Sequence, residues 1–413
     1  MRKKEKLLHL RYFDTTLLFL LIVIIIYGFL MIYSASYYIT SNSSEYGYSA
    51  MKLFKSQILY TGIGFVFMFF VSLINYKIYK NFAWIGYITS IVLILLLKTP
   101  LGKTVKGATR WLKIGPIQFQ VAEIVKIAMI IFLAYLISEN CGKTKTIKDT
   151  AFLMSWPTLI ALLVYKISNN MSTATIIFGI AAIMLFATHR KWQALVAIGI
   201  CGCIFVGIYI HGVYIEEMTY NKQQEALEET DSKITDTNDS DEEGFRSGRI
   251  RAWLNPERYS EEKSYQSLQA QYAIGFGGLT GKGLGNSIQK KTRIPEPYND
   301  MIFAVICEEL GFIGGTLVII LFFLLLLRLY LIMQKTKDPF GHMIMLGIFS
   351  HIALQVMLNI AVATGAFPTT GVTLPFFSYG GTASIFLLGE IGLALSIDKV
   401  NKERGEKIIY IEK

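Results

Sequence analysis

Long apolar runs separated by short basic loops dominate the chain. Apolar segments near the roughly twenty residues a helix needs to cross a bilayer recur at about 14–34, 57–75, 82–98, 119–138, 150–166, 171–188, 193–213, 301–333, 342–363 and 383–399. These runs lack the two-residue alternation of half-buried strands, and lipid admits only helices or closed barrels. The pattern therefore predicts an all-α polytopic membrane protein, one domain over 1–413 with ten transmembrane helices. A large polar loop, 214–300, is expected between the seventh and eighth helices. The first run follows Arg2, Lys3, Lys4, Lys6 and Arg11, a start like that of a signal peptide. Its apolar stretch is too long for one and lacks a clean cleavage site, so it reads as a retained anchor.

Composition supports this class: 53% of residues are hydrophobic and only 17% charged. The basic residues give an orientation. Lys77 and Lys80, Lys143, Lys145 and Lys148, and Arg190 and Lys191 fall on the side of the N-terminal cluster. So do Lys335, Lys337, Lys399, Lys402 and Arg404. By the positive-inside rule that side is cytoplasmic, which puts both termini inside and the long loop outside the cytoplasmic membrane. These loops account for the net charge of +10, so nucleic acid is not implied as a partner. Cys141, Cys201, Cys203 and Cys307 fall in spans or on the inner side and suggest neither a disulfide framework nor a thiolate zinc site.

The outer loops carry the chemistry. Asp300 stands where the long polar loop meets an apolar stretch that runs through Leu327. A carboxylate at the lip of a span is placed to meet a substrate at headgroup level, although position alone leaves a snorkelling charge equally open. Between the third and fourth spans lie Lys103, Lys106, Arg110 and Lys113, with Asp and Glu absent from 98 to 118. This loop reads either as a contact with anionic membrane lipids or as a phosphate site. Glu123 and Lys126, three residues apart, share a helix face and can pair within the bilayer. The stretch 221–244 is acidic, poor in core-forming residues and expected to be disordered. The glycine run 275–285 is no phosphate-binding loop, since Gly283 follows Lys282 where such a loop needs Ser or Thr. The apolar segment 367–382, broken by two prolines and three glycines, suits a re-entrant element whose freed backbone lines a cavity.

Four segments resemble hallmark motifs of the SEDS family (shape, elongation, division and sporulation): Lys106–Lys126, Tyr265–Lys290, Pro295–Gly311 and Thr370–Thr382. Their order among ten spans fits as well, and Thr373-Leu374-Pro375 is closer to the division and sporulation branch (FtsW, SpoVE) than to the elongation branch (RodA). The resemblance implies a peptidoglycan glycosyltransferase that polymerises lipid II, partnered by a class B penicillin-binding protein transpeptidase, with Asp300 as the catalytic carboxylate. It extends the candidate substrate-binding set beyond Lys103, Lys106, Arg110 and Lys113 to Gln120, Glu123, Lys126, Gln266, Gln269, Lys290, Glu296, Ser378, Tyr379, Gly380 and Gly381. The chain departs from the family in three places, one of them the acidic insert 221–244, which has no clear counterpart. Val121-Ala122 replaces the usual Pro-Ser before the acid Glu123, and Ser168-Asn169-Asn170 replaces a Gln-Pro-Asp-like start.

Lipid II carries its own pyrophosphate leaving group, so a single general base suffices and is worth about 10²–10⁴-fold. The histidines do not compete for that role: His9, His189 and His342 read as inner-side, His351 as intramembrane, and His211 lacks an obvious partner. A divalent cation, Mg²⁺ or Mn²⁺, stays open as a cofactor. A lipid II flippase or transporter, and a non-catalytic scaffold for a synthase, are the rival readings. The intramembrane Glu390, His351 and Glu123–Lys126 would serve the former.

Overall fold

The computed structural model describes residues 13–42, 50–105, 108–115, 117–140, 146–188, 195–204, 206–207, 265–292, 294 and 296–411, with the single positions 192, 218 and 253. Lys106 and the acidic stretch 221–244 lie outside the described residues. The helices are α1 (Thr15–Asn42), α2 (Ala50–Leu73), α3 (Ala83–Leu96), α4 (Val121–Glu139), α5 (Ile147–Ser168) and α6 (Met171–Thr188). They continue as α7 (Leu195–Ile204), α8 (Tyr265–Gly277), α9 (Gln289–Thr292), α10 (Ile302–Lys335), α11 (Pro339–Ala363) and α12 (Thr382–Ile411).

Among the described residues, six helices (in α1, α2, α4, α5, α10 and α11) are long and apolar enough to cross a membrane. The expected spans 82–98, 171–188 and 193–213 coincide with the shorter apolar helices α3, α6 and α7, and 383–399 falls within α12. The chain is thus a mostly helical, multi-pass membrane protein. Lipid is as apolar as leucine, so packing rather than flight from water joins these helices. α4 and α11 lie at the centre, α11 against both α4 and α6, while α12 lies along α2 and α10 touches α1, α8 and α11. At one end Arg328 of α10 grips Asp14, with Nη2 2.6 Å from Oδ2.

The all-α expectation needs one correction. The basic loop folds into a three-stranded antiparallel sheet, β1 (Gly102–Val105), β2 (Ala108–Ile114) and β3 (Ile117–Gln120), in the order β1-β2-β3. Thr104, Thr109, Trp111, Ile114 and Phe119 are β-branched or aromatic, and Gly115, at φ +60°, starts the turn between β2 and β3. The apolar run that follows drowned this short alternation in a hydropathy reading.

α10 is not continuous. Gly311 breaks its helical geometry at φ +66°, ψ −163°, leaving a short arm Ile302–Leu310 and a remainder long enough to span by itself. The glycine run seals the break: Gly283 N donates to Glu309 O (2.9 Å), Lys282 N to Glu308 O (3.0 Å) and Phe312 N to Gly278 O (2.8 Å). A Cβ on Gly311 would lie 2.4 Å from both Gly281 N and Leu279 O, so glycine alone permits this approach. The run therefore satisfies the backbone of a broken helix, a role its sequence did not announce.

Candidate functional site

Asp300 sits half-buried just before the arm of α10. Its Oδ1 accepts from Gln266 Nε2 on α8 (3.1 Å), and its main-chain oxygen accepts from Asn359 Nδ2 on α11 (2.7 Å). The same Asn359 amide donates to Val372 O (2.8 Å), so one side chain ties the carboxylate's backbone to the segment 370–381. Ser172, at the start of α6, donates to Thr370 O (2.7 Å) from the other side.

The two-residue period of β2 decides which cations reach this point. Arg110 shares a face with Leu112, which is fully buried, and so points into the bundle. A Cβ built on Gly371 (φ +71°) would stand 3.7 Å from Arg110 Nη1 and 4.0 Å from Asp300 Oδ2. The guanidinium and the carboxylate thus converge on one small space kept open by a glycine. Lys103 and Lys113 are exposed on the opposite face with Trp111, and Gln120 pairs with Trp111 there. Lys103 Nζ reaches Gln118 Oε1 at 3.4 Å instead. Among the described cations of this loop the expected cluster is therefore split, and Arg110 is the one that approaches the space at Gly371 beside Asp300.

The remaining candidates take framing positions. Gln269, one turn after Gln266, is buried with its Oε1 unbonded. Glu123 and Lys126 pair at 2.9 Å in a buried setting, and Lys126 also donates to Gln355 Oε1 (3.3 Å). Ser378 Oγ accepts from Leu374 N (2.7 Å), and Tyr379 N donates to Tyr298 O (2.9 Å). Gly381 N donates to Gln57 Oε1 (3.4 Å), and Gly380 O accepts from Ala383 N (2.8 Å) to open α12. Glu296, at φ +50°, accepts from Asn299 Nδ2 (3.4 Å) in the turn before Asp300.

Lys290 is drawn away from the site into a network the sequence did not flag. Its Nζ pairs with Glu309 and donates to Ser34 O (3.0 Å) and Ser34 Oγ (2.9 Å). Glu308 beside it is paired with Lys282 at 2.9 Å and accepts from Ser287 Oγ and Ile288 N. Both glutamates are fully buried, which only such pairing makes tolerable. Gln355 and Asn359 were also missed; two amides four residues apart in an apolar helix are the signal that would have found them.

Among the described residues, no group of three or more His, Cys, Asp or Glu side chains gathers as a metal site.

A broken helix, the non-helical segment 370–381 and a carboxylate and guanidinium that converge on Gly371 give a mostly helical membrane protein with a polar site at one end. A model of the cell cycle protein family FtsW/RodA/SpoVE matches residues 14–403, and the chain belongs to this family. It is 33% identical to stage V sporulation protein E of Bacillus subtilis (strain 168) over 392 residues, 94% of this chain and 98% of that one. It is 31% identical to a probable peptidoglycan glycosyltransferase FtsW of Trichlorobacter lovleyi, covering 93% of each. Its fold is similar to a chain of a peptidoglycan synthase complex that coordinates polymerization and crosslinking, with a TM-score of 0.68 and 22% identity over 94% of this chain and 98% of that one. The rod shape determining protein RodA of Thermus thermophilus gives a TM-score of 0.62 at 21% identity, covering 94% and 96%.

Proposed function

We propose that this chain is a peptidoglycan glycosyltransferase that polymerises lipid II on the outer face of the bacterial cytoplasmic membrane, in division or sporulation. The observation that carries the reading is the meeting of Arg110 and Asp300 at Gly371, beside a backbone segment held open by α11. Membership of the family supports it, as do relatives named for this activity.

The chemistry follows from the two groups. Asp300, with Gln266 orienting one oxygen, takes the proton of the acceptor sugar hydroxyl as that oxygen attacks the anomeric carbon of the donor. The new carbon–oxygen bond forms as the bond to the lipid pyrophosphate breaks, and the leaving group departs with the electron pair. Arg110 grips two pyrophosphate oxygens as their charge grows. Exposed Lys103 and Lys113 on the far face of the sheet attract the headgroup without entering the reaction. An apolar groove of about 500 Å³ between α2, α3, α4 and α12, lined by residues such as Phe67, Phe70, Ile124 and Leu393, suits the polyprenyl tail.

The ten apolar helices all cross in this reading, with both termini cytoplasmic and the large loop outside between the seventh and eighth. A class B penicillin-binding protein transpeptidase is the partner that crosslinks the product strands. The test is polymerisation of fluorescent lipid II by purified protein. Asp300→Asn should insert and fold normally yet lose about 10²–10⁴-fold in rate. A well-folded Asp300→Asn enzyme making normal glycan would overturn the assignment, and translocation without polymer would point to a flippase.

A further inference from the structure

Three polar side chains of α11 lie on one flank, deep in the apolar bundle. His351, Gln355 and Asn359 are spaced four residues apart and are 0%, 2% and 1% exposed. Four residues make just over one turn, so they form a column of about 12 Å. Each rung bonds a different part of the frame around Asp300. Asn359 holds Asp300 O and Val372 O. Gln355 donates to Thr373 O (3.1 Å) and accepts from Lys126, which pairs with Glu123. At the foot, His351 Nδ1 lies 2.8 Å from Glu390 Oε2 and 3.0 Å from Oε1, on α12.

The foot of the column is the part that packing does not explain. A buried ion pair gains little over apolar residues of similar size, and ionisable groups inside a membrane are costly. Yet α12 is already seated: a Cβ on Gly392 would lie 2.5 Å from Met68 O of α2. With α12 fixed on α2, the His351–Glu390 contact adds a directional tie between α12 and α11, which otherwise packs on α4, α6 and α10. A rotation of α11 by about 10° would move an amide nitrogen roughly 6 Å from the axis by about 1 Å. A displacement of that size can cost about a hundredfold in rate.

We propose that His351 and Glu390 are a positioning pair for the reaction at Asp300. They set the height and rotation of α11, and through Gln355 and Asn359 they place the backbone of Asp300, Val372 and Thr373. Neither touches the reacting sugar or the pyrophosphate; Glu390 lies in the wall of the apolar groove between α2, α3, α4 and α12. The inference rests on Asp300 being the base.

The experiment compares the His351→Leu/Glu390→Leu double variant with Glu390→Gln, in full-length protein purified with any transpeptidase that accompanies it. It reads kcat and KM on lipid II and the thermal unfolding midpoint. The double variant should keep its midpoint, because swapping both members of a buried pair for apolar residues is close to neutral. Its KM should hold while kcat falls about tenfold to a hundredfold. Glu390→Gln keeps an oxygen to accept from His351 and should stay within about twofold of the parent. Undiminished kcat in the double variant overturns the proposal, and so does a fall in kcat that merely follows a fall in midpoint. If the double variant fails to insert, Gln355→Leu reads the middle rung. There a kcat loss at constant KM supports the column, and an unchanged kcat overturns it. Asp300→Asn, run in parallel, separates the two readings. If it is inactive beside a fully active double variant, only the column falls; if it is active, the base assignment and the column fall together.

Discussion

At the scale of single residues, alternation along a strand outweighs net charge. Arg110 and Lys113 are three positions apart in one basic loop, and their side chains leave the sheet on opposite faces. Arg110→Lys should therefore cut polymerisation severely, since an ammonium cannot grip two oxygens at once, and should lose about 10²–10³-fold in kcat/KM. Lys113→Ala should stay within about threefold at physiological salt, because an exposed charge is screened beyond roughly 8 Å. Steady-state kinetics on lipid II distinguishes the two, and equal losses would return the loop to a uniform anion site. Asp300 was legible from sequence through its place at the lip of a span and its motif. Its orienting partner Gln266 was legible only as a motif member, because no spacing rule links positions in separate segments to one carboxylate.

At the scale of elements, the break in α10 is held by groups that look unremarkable in the sequence. Gly311→Ala would force an alanine to φ +66° and drive its Cβ into the backbone of Gly281 and Leu279. It should cost about 1–3 kcal/mol from the dihedral alone and more from the overlap. A drop in the thermal midpoint of detergent-solubilised protein would show it, and an unchanged midpoint would mean that the arm Ile302–Leu310 is not anchored this way. Lys290→Met should be as damaging, since Glu309 is left buried and unpaired at a cost of about 3–5 kcal/mol. Adding Glu309→Leu should restore most of the midpoint, because removing both charges removes the penalty. Failure of the second change to rescue would show that Ser34 and its neighbours need the charge itself.

At the scale of the whole molecule, the site is assembled from five places in the chain: β2, α8, the start of α10, α11 and the segment before α12. A partner docked on this end can reach the reaction through any of them. Purified chain should polymerise lipid II faster once its class B transpeptidase is added, and that protein should co-purify from native membranes. Full activity of the chain alone, with no transpeptidase retained, would count against the partnership. The outer faces of α2, α3 and α10 carry large exposed apolar side chains such as Val66, Ile88 and Phe323, surface that lipid or a partner helix covers equally well.

The sequence by itself determined that the chain lives in a membrane, where its apolar helices lie, and that Asp300 stands at the edge of a span. Those properties are local: bilayer thickness and helical rise convert a run of apolar residues directly into a spanning element. Tertiary structure decided the rest. Only there does the glycine run become the seal on a broken helix and Lys290 the partner of Glu309. Only there does the basic loop become a sheet that sends Arg110 toward Asp300 and Lys113 away from it, because those outcomes depend on contacts between positions far apart in the chain.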